Sequence, residues 1–278
     1  MNERFLLFDC ETVPDLAAGG RMLGMAGAPD SEVRRRLGEH YAKDGQAPEA
    51  AFVKCALHRI VALSVMQVDT SPPDVGFRIT WLSTRHFGTY PEAEIIRPFV
   101  SSLLEPCPMT PYLVGFNSSG FDLPLIRYRA LALGISAPAL HKRAGNPRDY
   151  FFRFGRDHID LCERLSNFGA TSRPSLAELC AICDIPVKIN GIDGSQVESL
   201  ALLQRWQEIA AYCETDVMAL YLLFLRYQLV VGELTPEGYA ASMVGVNSFI
   251  GENSSKWSHL APFTTHASAV SIATSVRA

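Results

Sequence analysis

The chain has 278 residues, 48% of them hydrophobic, and a formal net charge of −4 with a pI near 6.0. That length supports one large core, a single domain with elaborations rather than two. The acidic balance leaves no global basic footprint and argues against a passive nucleic-acid coat protein, so a phosphate-bearing partner has to be held by local positive groups or by metal. The seven cysteines are scattered, and the only CxxC, Cys180 and Cys183, lacks the second pair that a four-ligand zinc site needs. They read as reduced, structural thiols of a cytoplasmic protein. The N-terminus enters a strand with no signal peptide, and no apolar run approaches the roughly 18 residues of a membrane span.

In chain order, residues 4–8 are an apolar run ending at Asp9, the pattern of a buried central strand. Residues 15–55 or so are rich in Ala, Gly and charge, with helical spacing near 31–37, and read as an insertion that could act as a flap. Residues 58–68 and 77–82 read as strands joined by the turn 69–74. A helix is expected over 91–104, stopped by Pro106, Pro108 and Pro111; then a buried strand over 112–116 and a helix over 122–133 closed by Gly134. The loop 143–156 sets Arg143, Arg148, Arg153 and Arg156 beside Tyr150, Phe151, Phe152 and Phe154. That mixture suits single-strand binding, and equally an aromatic loop folded onto the core. A short fifth strand over 158–161 precedes helices that run to Val230, and residues 231–278 are a C-terminal extension without assignment. The sum is an α/β layered domain over residues 1–230.

Three segments carry carboxylates. Asp9 and Glu11 stand at i and i+2, so on a strand they share a face and could address one metal. Asp-x-Glu is also a cheap pattern, expected about once by chance in a chain of this length. Asp122 follows the tight turn 117–120 and opens a helix, a position that an ordinary cap would equally explain. Tyr212 and Asp216 stand at i and i+4 and neighbour each other on one helix face, beside an apolar stripe of Ile209, Cys213, Val217, Leu220 and Phe224. A hydrogen bond between the two would account for them as simply as a site does. The conjunction is what distinguishes the set: two strand ends and one helix edge each supply acids.

The set Asp9-x-Glu11, Asn117-x-x-x-Phe121-Asp122 and Tyr212-x-x-x-Asp216 resembles the three motifs of the DEDD superfamily of 3′–5′ exonucleases, in the subclass with tyrosine in the third motif. The surrounding text, with Thr12, Val13 and Pro14, Gly115 and Phe116, Pro124, the run 158–161 and Asp193-Gly-Ser-Gln196, is most similar to predicted exonucleases related to the proofreading domain of B-family DNA polymerases. The likeness covers roughly residues 3–230.

The resemblance implies a ribonuclease H-like fold, a five-stranded mixed sheet flanked by helices. It implies that Asp9, Glu11, Asp122 and Asp216 hold two Mg²⁺ or Mn²⁺ ions, hard cations that suit oxygen ligands, and that Tyr212 orients the attacking water. The expected reaction is two-metal hydrolysis from the 3′ end of single-stranded nucleic acid, DNA favoured over RNA, releasing nucleoside 5′-monophosphates. Asn117, Phe121, Asp160, Lys188, Ser195 and Gln196 are candidate contacts to the strand, with Asp160 equally a helix cap. Two rivals share these residues: a module that grips nucleic-acid ends without cutting, and a phosphoesterase acting on small nucleotides. A dinucleotide-binding protein is disfavoured, since no Gly-x-Gly-x-x-Gly follows the first strand.

Overall fold

The computed structural model describes residues 3–104, 110–142, 148–187 and 191–267. Its strands are β1 (Arg4–Pro14), β2 (His58–Thr70), β3 (Phe77–His86), β4 (Tyr112–Gly115) and β5 (His158–Asp160). Its helices are α1 (Leu16–Met22), α2 (Asp30–Tyr41), α3 (Glu92–Ser102), α4 (Asp122–Ala132), α5 (Leu161–Leu165), α6 (Leu176–Ile182), α7 (Val197–Leu202), α8 (Trp206–Val230) and α9 (Pro236–Glu252). The strands form one sheet in the order β3-β2-β1-β4-β5. β2 runs antiparallel to both its neighbours, whereas β1, β4 and β5 are mutually parallel. This is the five-stranded mixed sheet of a ribonuclease H-like domain, flanked by helices as expected.

Alternation along β1 sorts the two cores. Leu6, Phe8 and Cys10 face α3 and α4, packing with Ile95, Phe99, Leu123 and Ile126. Phe5 and Leu7 face α8, packing with Val217, Leu220 and Phe224. Asp9 and Glu11 continue this second face toward the N-terminal turns of α8, so the helix that covers the sheet also meets the acids.

β1 does not end at Asp9, where the apolar run stops. β2 stays paired to it as far as Pro14, with a register shift between Glu11 and Thr12. On the other side β4 pairs only with Phe5, Leu6 and Leu7. Beyond Leu7 the edge of β1 is therefore open on one side, and that opening is where the carboxylates stand.

Residues 15–57 fold around a small apolar nucleus of Val33, Leu37 and Val53. The Nε of Arg34 reaches Oε1 of Glu198 on α7 at 2.6 Å, which ties the insertion to the body. α8 is buried on nearly every side because α9 and residues 257–267 cover the flank that the sheet leaves: Tyr239, Met243, Val246, Trp257, Leu260 and Phe263 join the same core. The N–H of Phe77 donates to Oγ of Ser242 at 2.8 Å, joining β3 to α9.

Candidate active site

The site begins where β4 stops. With no strand opposite it, the N–H of Cys10 donates to Oδ1 of Asp122 at 3.2 Å. Asp122 is the first residue of α4, and the cap position before it, Phe121, supplies no side-chain bond. The carboxylate thus takes the place of the missing strand and comes to lie beside Asp9 and Glu11.

The turn that delivers Asp122 is held from below. The N–H groups of Asn117 and Ser119 donate to Oδ1 and Oδ2 of Asp160 at 2.9 and 2.8 Å. Asp160 also accepts from the N–H groups of Cys162 and Glu163, capping α5. Asn117 adopts a left-handed φ of 55°, a conformation asparagine tolerates better than most residues. Gly115 is required by packing: a Cβ there would lie 2.1 Å from Oγ of Ser118, which bonds Nε2 of His158 at 2.8 Å.

α8 supplies the opposite wall. Tyr212 and Asp216 lie one turn apart on α8 and line the same cleft, the hydroxyl near enough to the carboxylate to influence its charge. Between them Cys213 is buried against β1, its Sγ 3.3 Å from the Asp9 carbonyl and 3.6 Å from Oδ2 of Asp9. Asp9, Glu11 and Cys213 each offer a ligand atom, all within 4.8 Å of one another. The sequence placed Cys213 only in the apolar stripe of the helix; its position one residue after Tyr212 was the available signal. An open cleft of about 660 Å³ is lined by Asp9, Glu11, Asp122, Tyr212 and Asp216, together with Asn117 and Phe121.

The electrostatics are those of buried acids crowded together. Burial lifts the Asp9 carboxyl from its ordinary value to about 8, and Asp122 beside it adds to the rise. Asp216 is pushed up to about 8 by burial and by Asp9, against the opposing pull of the Tyr212 hydroxyl. Asp122 rises to about 7, from burial first, with Asp160 adding and the Cys10 N–H opposing. Glu11, only 7% exposed, is raised well above the usual carboxylate range by burial, then by Asp9, Asp216 and Asp122. The charges that raise Asp9, Glu11 and Asp216 thus come from within the acidic group, Asp122 included. Tyr212 is held far into its neutral form by burial and by Asp216, Glu11 and Asp9. A divalent cation bound among these groups would return the carboxylates to their charged form and relieve the repulsion among them.

The remaining candidates divide. Asn117 is exposed at the cleft, and Phe121, half-buried, has its ring centroid 5.8 Å from those of Phe52 and His58. Ser195 and Gln196 sit on an exposed turn capped by Asp193. Ser195 lines a neighbouring pocket with Glu11 and Phe121, and Gln196 lines another with Tyr212. Asp160 is 3% exposed and occupied by backbone N–H groups, so it braces the turn rather than facing a ligand. Lys188 lies outside the described residues, as does Arg143. In the loop, Tyr150 is buried and donates to the Pro111 carbonyl at 2.7 Å, and Phe151 packs under Arg127, whereas Phe152 and Phe154 remain exposed.

The sheet and the acidic cleft together define a ribonuclease H-like domain with a site built at the open edge of its central strand. The chain belongs to the family described as predicted 3′–5′ exonucleases related to the exonuclease domain of PolB, whose model matches residues 50–267. The matched stretch contains Asp122, Tyr212 and Asp216; Asp9 and Glu11 precede it and join the group through the fold. No curated protein sequence matches the chain. Among solved structures it is similar to the family B DNA polymerase of the hyperthermophilic archaeon Pyrobaculum calidifontis, at 18% identity and a TM-score of 0.46, over 92% of this chain and 29% of the polymerase. The chain spans less than a third of that polymerase's length. No helix among the described residues is long and apolar enough to cross a membrane.

Proposed function

We propose that the protein is a metal-dependent 3′–5′ exonuclease acting on single-stranded nucleic acid, DNA in preference to RNA, and releasing nucleoside 5′-monophosphates. The observation that carries this reading is the convergence of Asp9, Glu11, Asp122 and Asp216, from one strand and two helices, on a single cleft beside Tyr212. Four carboxylates match the charge of two divalent cations, Mg²⁺ or Mn²⁺. Bound there, such ions supply the Lewis acidity that makes water nucleophilic and steadies the leaving oxygen.

The side chains divide the remaining work. Glu11 and Asp9, fixed on β1, and Asp122, fixed through Cys10, form a rigid floor. Asp216 closes the group from α8. Tyr212, kept neutral by burial and by its acidic neighbours, positions water through its hydroxyl and does not act as a base. Asn117 and Phe121, on the rim, contact the terminal nucleotide. The family match supports the polarity of cleavage.

The test compares wild type with Asp9→Ala and Asp216→Ala on labelled DNA and RNA strands, with and without Mn²⁺. Stepwise loss of 3′ nucleotides in wild type, abolished in both variants, is the expected result. Near-normal turnover in both variants would overturn the assignment. Binding of ends without cleavage by wild type would leave a recognition module. Hydrolysis of a dinucleotide uninhibited by a long oligonucleotide would indicate a small-molecule phosphoesterase.

A further inference from the structure

We propose that Arg153, Phe154, Phe168 and Arg173 form a track, continuous with the cleft, for the single strand upstream of the nucleotide being removed. The proposal rests on the exonuclease reading and names how that site holds its substrate. Arg173 lines the cleft directly. It pairs with Glu163, a carboxylate only 4% exposed, and Arg153 pairs with the same carboxylate from the other side, its Nε 2.6 Å from Oε2. Two guanidiniums share one buried anion, so the group carries a surplus positive charge on a chain whose net charge is −4. Both remain nearly half-exposed, at 42% and 46%, and free to present N–H groups to a phosphate.

The aromatic partners adjoin them. Phe154 meets Phe168 with centroids 4.8 Å apart, and Phe152 lies 6.3 Å further along. Phe152 and Phe154 are 56% and 60% exposed, large apolar faces that the core does not use. Phe168 sits in an unusual backbone run: Asn167, Phe168 and Gly169 are three successive residues with left-handed φ of 49°, 55° and 88°. Such a run is uncommon for non-glycine residues and marks a built feature. Arg153 fixes it by donating to the Phe168 carbonyl at 2.9 Å. Alternating guanidinium charge and aromatic faces are what sequence-tolerant binding of a single strand requires. Continuity with the cleft through Arg173 says which strand: the one whose 3′ end occupies the acidic site.

The test measures affinity by fluorescence anisotropy for oligothymidylates of three and twelve nucleotides, with Ca²⁺ replacing Mg²⁺ to slow turnover. In wild type the longer strand binds more tightly. In Phe152→Ala/Phe154→Ala that advantage falls by on the order of tenfold, and Arg153→Gln lowers the salt slope by about one phosphate. A length advantage and salt slope equal to wild type in both variants would overturn the track. Hydrolysis of the p-nitrophenyl ester of thymidine 5′-monophosphate, too short to reach Phe154, reports separately on the catalytic reading. The anisotropy result stands whether or not that ester is cleaved.

Discussion

The backbone N–H of Cys10 donates to the Asp122 carboxylate at 3.2 Å, across 112 residues of sequence. One oxygen of Asp122 therefore does a structural task, replacing β4 against β1, while the group as a whole faces the cleft. The two tasks are separable. Asp122→Asn keeps an acceptor for the Cys10 N–H but removes the negative charge. It is expected to fold with a near-normal melting temperature and to lose roughly a thousandfold in turnover, the few kcal/mol of transition-state stabilisation that metal-ion catalysis contributes. Circular dichroism melts alongside a 3′-end-release assay check this, and an active Asn variant would remove Asp122 from the ligand set.

Tyr212 lies one helical turn from Asp216, and burial, together with its acidic neighbours, holds the phenol neutral. A positioning hydroxyl contributes less than a charged ligand. Tyr212→Phe should therefore lower kcat by about 10–100-fold, at the low end of what proton-handling groups supply, with a pH–rate profile parallel to wild type. Asp216→Ala should be far more damaging. Quench-flow kinetics across pH 6–9 would show a changed profile if Tyr212 were itself titrating in the mechanism.

Much of this site was readable from spacing. The i, i+2 pair on β1 and the i, i+4 pair on α8 follow from strand and helix geometry alone, and the apolar runs located four of the strands within a few residues. What spacing could not reveal depends on partners far away. β1 continues to Pro14 because β2 pairs with it there, although its own residues after Phe8 are no longer an apolar run. Local spacing explains Asp122 equally well as a cap; its bond to the Cys10 N–H depends instead on where the opposite strand ends. Asp160 serves two elements at once, α5 locally and the turn at Asn117 across 43 residues, and only the first leaves a local signal.

Metal-free protein should lose stability as pH rises. Asp9 and Asp216 are raised in the folded state to about 8 and Asp122 to about 7, from ordinary values of 3.8. The folded form then binds more protons than the unfolded form, so each group's contribution, complete below its unfolded value, is lost as pH rises through the folded one. Buried His58 and His158, whose values are lowered, act in the opposite sense only below about 6.5. Between about pH 6.5 and 8 the acids dominate. In EDTA the melting temperature should decline across that window and level off above it. Mn²⁺ should restore it, by more at pH 8 than at pH 6.5, because the charged carboxylates are what it binds. A melting temperature flat with pH in EDTA, or a Mn²⁺ gain independent of pH, would contradict the clustering of the acids.

α4 is anchored at its far end by Arg129, 8% exposed at its side chain. Its Nε and one terminal nitrogen bond the two oxygens of Glu92 at 2.7 and 2.6 Å, and the other terminal nitrogen reaches Asp15 at 2.8 Å. Glu92 in turn accepts the N–H of Ile60 on β2 at 2.7 Å. The guanidinium thus links α4, α3, β2 and the start of the insertion, and it fixes the helix whose first residue is Asp122. Truncating one partner of a buried pair leaves the other charge unpaired, at a cost of about 3–5 kcal/mol. Arg129→Ala should therefore lower the melting temperature by roughly 10 °C for a chain of this size. In Arg129→Met/Glu92→Met both charges are gone and apolar volume replaces them, so part of the loss should return. A double variant less stable than Arg129→Ala would show that the bond from Glu92 to the Ile60 N–H, and not the ion pair, holds α4 in place.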